Sequence, residues 1–266
     1  MFGAENKTVV INGAKTAVAA FGKGKRNLII LPGLGDGLQT VKGKALPLAI
    51  MYRELAKDFR VYMISRREPL PGDFSTEDMA KDLAMVMESL GMEKADILGV
   101  SMGGMIAQHF AADFPEKTGR LILAVTAGKS EEPVKSLINE WTKLLESGKT
   151  AKFIKSNVRN MYSDEYYKKN DWMTGIVGRL TVPKDHSRFM ILAKACAEHN
   201  AMEKLEKIKA PTLVLGGTED RTVGAEASYK LAEKIPGAKL FMYKGQRHAL
   251  YEEAPDFIQR VAEFIK

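Results

Sequence analysis

The 266-residue chain reads as an α/β protein, a mostly parallel sheet of about eight strands flanked by helices and interrupted by an all-helical insertion. Three features predict it. Short apolar runs alternate with helical periodicity through most of the chain, the pattern of parallel strands joined by crossover helices. From about Lys129 to Leu205 the alternation stops, and only helical patterns remain. At Ala95–Val100 an apolar run ends abruptly in Gly99-Val100-Ser101-Met102-Gly103, where a helical pattern takes over and leaves a serine on a tight strand-to-helix turn.

Thr8 to Ile11 and Thr16 to Ala20 flank Asn12-Gly13, the dipeptide that most favours a tight hairpin, so the chain opens with two antiparallel strands. Leu28 to Leu31 is continuously apolar, as a strand buried on both faces must be, and runs into the glycine-rich Pro32-Gly33-Leu34-Gly35-Asp36-Gly37. The pattern then predicts a helix over Leu46 to Lys57, a strand at Val61 to Ile64 and an amphipathic helix from Ser75 to Leu90. Met102 to Asp113 is helical until Pro115, and Arg120 to Val125 is the next strand. The helical stretch that follows breaks at Ser147-Gly148, near Ser163-Asp164 and at Pro183. Strands return at Pro211 to Leu215 and Lys239 to Tyr243, with helices at Ala225 to Ile235 and Pro255 to Ile265. The expected division is a core of residues 1–128 and 207–266, with residues 129–206 inserted as a helical cap.

Composition bounds the partners. Hydrophobic residues at 45% and charged ones at 27% suit an ordinary globular domain, and the formal charge of +7 comes from lysines interleaved with acids instead of a continuous basic run. Nucleic-acid binding is therefore not expected. No run approaches membrane-spanning length and the first residues lack an apolar signal core, so no membrane association and a cytoplasmic location are expected. The single cysteine, Cys196, lies among apolar neighbours and reads as a packed thiol. His109, His186 and His199 fall in helical patterns without a partner motif. No cluster has metal-ligand spacing and no strand-to-helix turn carries Gly-x-Gly-x-x-Gly, so no cofactor is expected, only a small-molecule substrate and a monomer or homodimer.

By itself Gly-x-Ser-x-Gly is also the pattern of a plain turn. Serine is a poor nucleophile at neutral pH and needs a base with an orienting group. Leu213 to Leu215 ends in Gly216-Gly217-Thr218-Glu219-Asp220, and Leu240 to Tyr243 ends in Lys244-Gly245-Gln246-Arg247-His248. Ser, Asp and His thus arrive in that chain order, each just past the carboxyl end of a strand, where open α/β sheets place their chemistry.

On these motifs, from Leu28 to Ile265, the chain resembles the α/β-hydrolase fold superfamily, among its serine hydrolases with a helical cap. The resemblance implies Ser101 as nucleophile, His248 as base and Asp220 as its orienter. It implies an oxyanion hole from the backbone N–H groups of Met102 and Leu34, with Gly99 and Gly103 making room at the elbow. Pro32 stands where a histidine often precedes the first glycine of the oxyanion loop, and Ser65-Arg66-Arg67-Glu68-Pro69 replaces an Asp-x-Arg-Gly-x-Gly-type stretch. The implied activity is acyl transfer to water on small to medium carboxylic esters. A carbon–carbon bond hydrolase, thioesterase, lactonase or aminopeptidase shares the same triad chemistry, and a non-catalytic ligand-binding protein shares the fold.

Overall fold

The computed structural model describes residues 2–266; for residues 171 and 173–180 only the backbone is described. Strand β1 (Glu5–Ile11) turns through Asn12, at a left-handed φ of 47°, into β2 (Ala14–Phe21). Then come β3 (Arg26–Leu31), helices α1 (Ala45–Met51) and α2 (Leu55–Asp58), β4 (Phe59–Ile64) and α3 (Thr76–Ser89). The elbow strand β5 (Ala95–Val100) leads into α4 (Met102–Asp113), followed by β6 (Thr118–Ala124). Four helices separate β6 from β7 (Thr212–Gly217): α5 (Glu132–Glu146), α6 (Thr150–Met161), α7 (Asp164–Thr181) and α8 (Ser187–Ala197). The chain closes with α9 (Ala225–Lys234), β8 (Lys239–Tyr243), α10 (Leu250–Glu253) and α11 (Phe257–Ile265).

Among the described residues the strands form one eight-stranded sheet in the order β1-β2-β4-β3-β5-β6-β7-β8. Pairing is antiparallel from β1 to β2 and β2 to β4, and parallel thereafter. Side chains of a strand alternate between its faces, and β3 makes the consequence visible. Ile29 and Leu31 enter a core with α3, α4, α9 and the inserted helices, whereas Leu28 and Ile30 enter a second core with α1, α2, α10 and α11. With both faces covered, the central strands are mainly apolar, and β5 is buried at every position, its one charged residue, Asp96, being paired with Arg26 and the Arg120 N–H.

The inserted helices leave and re-enter through a narrow neck. Lys129 and Asn200 form an isolated bridge, Ser130 N donates to His199 O at 3.0 Å, and Ala201 N donates to Gly128 O at 2.7 Å. Helix α5 buries Val134, Ile138, Trp141 and Leu145, at helical spacing, against the sheet-side core. Arg188 on α8 fixes the insertion to the core: its guanidinium reaches the Asp36 carboxylate at 2.7 Å and the carbonyls of Asp36, Arg66 and Arg67.

The structure corrects the sequence reading in places. The helix expected over Leu46 to Lys57 is two pieces, because the turn at Tyr52 carries that ring inward to stack on Phe21 at 6.4 Å. Strand β6 ends at Ala124, one residue early, since Val125 adopts a left-handed φ of 47° that no strand can hold. Helix α10, just after His248, was not expected, and the last helix starts at Phe257 instead of Pro255.

Candidate active site

Each side chain of the site stands at the end of a parallel strand. Ser101 follows β5 at φ 53° and ψ −120°, a conformation L-residues adopt only under constraint. The constraint is close packing beneath it. A Cβ on Gly103 would lie 2.0 Å from the Leu31 carbonyl oxygen, and one on Gly99 would lie 2.6 Å from the Gly103 carbonyl oxygen. Only glycine lets α4 approach β3 and β5 this nearly, and that approach lifts the serine above the sheet.

The structure brings together the three residues expected to act. His248 Nε2 lies 2.9 Å from Ser101 Oγ, and His248 Nδ1 lies 2.8 Å from Asp220 Oδ2. The other carboxylate oxygen, Asp220 Oδ1, accepts from Thr222 N at 2.8 Å and Val223 N at 3.0 Å, so the carboxylate cannot swing away. Burial alone would raise this carboxyl, but the His248 ring and the Val223 and Thr222 amides outweigh it and hold the group below the usual carboxylate range. An ionised Asp220 fixes the proton of His248 on Nδ1 and leaves Nε2 free to accept from the serine. Glu219, its neighbour, is exposed and takes no part.

Met102 opens α4 and Leu34 opens a short 3-10 turn, Leu34–Gly37. Among the described residues neither backbone N–H donates to a carbonyl, as first-turn amides have no intrahelical acceptor. The turn is close to the serine, since a Cβ on Gly33 would lie 3.3 Å from Ser101 Cβ.

A cavity of about 370 Å³ opens over Ser101 and His248. Of the large apolar residues of the insertion, Trp141, Phe153, Met161, Tyr162 and Phe189 line it, while Trp172 is exposed on α7. His109 and His199 lie outside it, packed edge-to-face with ring centroids 5.3 Å apart, and His186 caps α8. Cys196 is buried and reaches the cavity wall; burial pushes its thiol up to about 12, so it is no thiolate.

Sequence reasoning missed how the histidine loop is held. Arg247, 1% exposed, donates to Tyr162 O at 2.9 Å and pairs with Asp164 at 2.8 Å, and Ala249 N donates to Met161 O at 2.8 Å. Glu253 accepts from both Ser163 N and Ser163 Oγ. The α6–α7 junction is thus fastened to the loop that carries the imidazole. Glu253 belongs, with Pro255, to the motif that follows His248 in the sequence, but its contact with Ser163 is not written there; nothing in the spacing of Arg247 marks it, because its partner Tyr162 lies 85 residues away.

The model of a family described as alpha/beta hydrolase fold matches residues 26–255. A 2-hydroxy-6-oxononadienedioate/2-hydroxy-6-oxononatrienedioate hydrolase of Comamonas testosteroni is 28% identical over 193 residues, 70% of this chain and 68% of the relative. An enzyme of the same name from Paraburkholderia phymatum is 26% identical over 261 residues, 92% of this chain and 88% of the relative. The crystal structure of MGS-M2, an alpha/beta hydrolase from a Medee basin deep-sea metagenome library, superposes with a TM-score of 0.87 at 21% identity, covering 97% of this chain and 96% of that one.

Proposed function

Because the chain belongs to the α/β-hydrolase fold family, we propose that it is a serine hydrolase which cleaves a carbon–carbon bond next to a ketone, with Ser101, His248 and Asp220 as its catalytic residues. The observation that carries the reading is the closed relay from Ser101 Oγ through His248 to Asp220 beneath a cavity of substrate size. The reaction type is supported by relatives named as hydrolases of 2-hydroxy-6-oxo-dienedioates. In such a molecule the 6-oxo carbon is an electrophile, and once the 2-hydroxyl proton has moved to C5 the 2-oxo-3-ene tautomer so formed can receive the electron pair of the broken bond as a dienolate.

His248 Nε2 takes the Ser101 proton as Oγ attacks the ketone carbon, and the oxyanion that forms is held by the N–H groups of Met102 and Leu34. The carbon–carbon bond then breaks, its electron pair passes into the conjugated chain, and His248 returns the proton to that fragment. An acyl-Ser101 ester remains. Water, deprotonated by His248, releases it as a carboxylic acid. The helical insertion acts as the cap over the substrate, and the molecule works in the cytoplasm without a cofactor.

A second reading, hydrolysis of a carboxylic ester, has a specific observation in its favour. Lys44 is the only Lys or Arg among the described residues lining the cavity, a sparse provision for a dicarboxylate. The test runs both chemistries side by side. Wild type and Ser101→Ala, His248→Ala and Asp220→Asn are assayed on 2-hydroxy-6-oxo-6-phenylhexa-2,4-dienoate and its methyl ester by loss of the dienol chromophore, and on p-nitrophenyl esters. Each variant is expected to lose about 10⁴-fold or more in kcat on whichever substrate the wild type turns over. Turnover of esters alone would replace the carbon–carbon reading by the second one, and wild-type rates in the Ser101→Ala variant would remove the site assignment altogether.

A further inference from the structure

The cavity has two unlike walls. Toward the insertion it is apolar, with Val134, Ile138, Trp141, Phe153 and Phe189 continuing the core of α3 and α4. Toward the other face of the sheet it carries Thr40, Lys44, Tyr52, Tyr251 and Glu252, above the core of α1, α10 and α11. Chemistry at Ser101 uses none of these polar groups.

Tyr52 is the informative one. The residue is only 9% exposed and its ring is stacked on Phe21, yet among the described residues its hydroxyl has no hydrogen-bond partner. The phenol borders the cavity over Ser101, where it can donate to a group that enters. Burial and the nearby Glu252 carboxylate push the phenol up to about 12, so it remains a donor at neutral pH. Two charged groups of this wall are already engaged. Lys44 Nζ donates to Gln39 Oε1 at 3.0 Å, and Glu252 Oε2 accepts from the Tyr162 hydroxyl at 2.7 Å. A substrate group arriving here meets a phenol that can donate and a carboxylate that can accept.

We propose, building on the serine-hydrolase reading above, that Tyr52 is a specificity-determining residue whose phenol donates to an uncharged hydroxyl on the end of the substrate held beside α1. That hydroxyl donates in turn to Glu252, whose charge turns a carboxylate away from the same place. Hydroxyl recognition follows from the pairing of a donor with an acceptor. A carboxylate can only accept, and would oppose Glu252; an alkyl end would leave both groups unpaired.

Straight-chain alkylboronic acids of increasing length test this without turnover, because boron forms a reversible tetrahedral adduct with a nucleophilic serine and the chain is free to enter either lobe. Three series are compared by isothermal titration calorimetry, ending in methyl, hydroxyl or carboxylate. For the chain length that reaches the wall, the hydroxyl-ended compound is expected to bind wild type about five- to tenfold tighter than its methyl-ended counterpart. Tyr52→Phe should erase that advantage and leave methyl-ended binding unchanged within about twofold, which shows the variant to be folded. Glu252→Gln should bring carboxylate-ended compounds up to the level of methyl-ended ones. The proposal is overturned if the hydroxyl confers no advantage at any length, if Tyr52→Phe retains it, or if carboxylate-ended chains bind best in wild type. Boronic acids that bind Ser101→Ala as well as wild type would instead refute the serine assignment beneath it.

Discussion

Ser101 holds a backbone conformation that costs about 1–3 kcal/mol for a residue with a Cβ, and its neighbours make it do so. Ser101→Gly should therefore unfold at a denaturant midpoint at or above that of Ser101→Ala, with a gain of about 1 kcal/mol. The glycine beside it has no such latitude. Gly103→Ala forces a methyl onto the Leu31 backbone carbonyl, which has no flexible end to move aside, and should destabilise by about 2 kcal/mol or more in urea titration. A Gly103→Ala variant as stable as wild type would mean that α4 can slide away from β3. At this scale much was legible, because Gly-x-Ser-x-Gly states its steric requirement in the residues themselves. Tyr52, Arg247 and Glu252 were not, since a tyrosine on a helix end or an arginine before a histidine acquires its role only from partners distant in the chain.

Among the elements, the neck of the insertion contains a buried titratable group. The His199 carbonyl accepts from Ser130 N, its Nδ1 lies 2.9 Å from Thr76 Oγ1 on α3, and burial together with His109 pushes its imidazole down to about 3. In the unfolded chain the same imidazole protonates near its ordinary value of about 6.5, so between these values the unfolded state binds the extra proton. Stability is complete above about pH 6.5 and falls as the pH drops toward 3, by up to about 1.4 kcal/mol per pH unit for this one group. Urea midpoints measured from pH 7.5 down to 4 should decline, and His199→Gln should flatten the decline; equal slopes in the two proteins would exonerate His199. Element boundaries were legible where proline or glycine punctuates, as at the end of α4 and between α5 and α6. They were not where tertiary contact interrupts a sequence of good helix formers, as Tyr52 does between α1 and α2, or where Val125 leaves the strand one residue before its apolar run ends.

Across the whole molecule, one sheet serves two cores and supports a roof, and Arg188 ties the roof down. The Asp36 side chain has no exposure and relies on Arg188 at 2.7 Å, with Arg66 farther off at 4.0 Å. Arg188→Met leaves that carboxylate with only the Arg66 N–H at 3.0 Å and the more distant Arg66 guanidinium, and should cost about 3 kcal/mol. Hydrogen exchange should quicken first in α8 and the Leu34–Gly37 turn; uniform quickening across the sheet would mean that Arg188 supports the molecule generally and not the joint. Alternation of strands and helices made the sheet legible, and the absence of strand patterns after Gly128 matches the helices that separate β6 from β7. Neither could indicate where roof and core would be fastened, because ion pairs across 152 residues leave no periodicity.

The neck has a further consequence. Gly128 and Ala201 are joined by a single hydrogen bond, so the outgoing and returning chains stand side by side at the edge of the core. A different set of helices spliced across that gap would keep the chain path but lose the contacts of Arg188 with Asp36 and of Arg247, Ala249 and Glu253 with the α6–α7 junction. Selectivity and chemistry are therefore exchanged together unless those fastenings travel with the new helices.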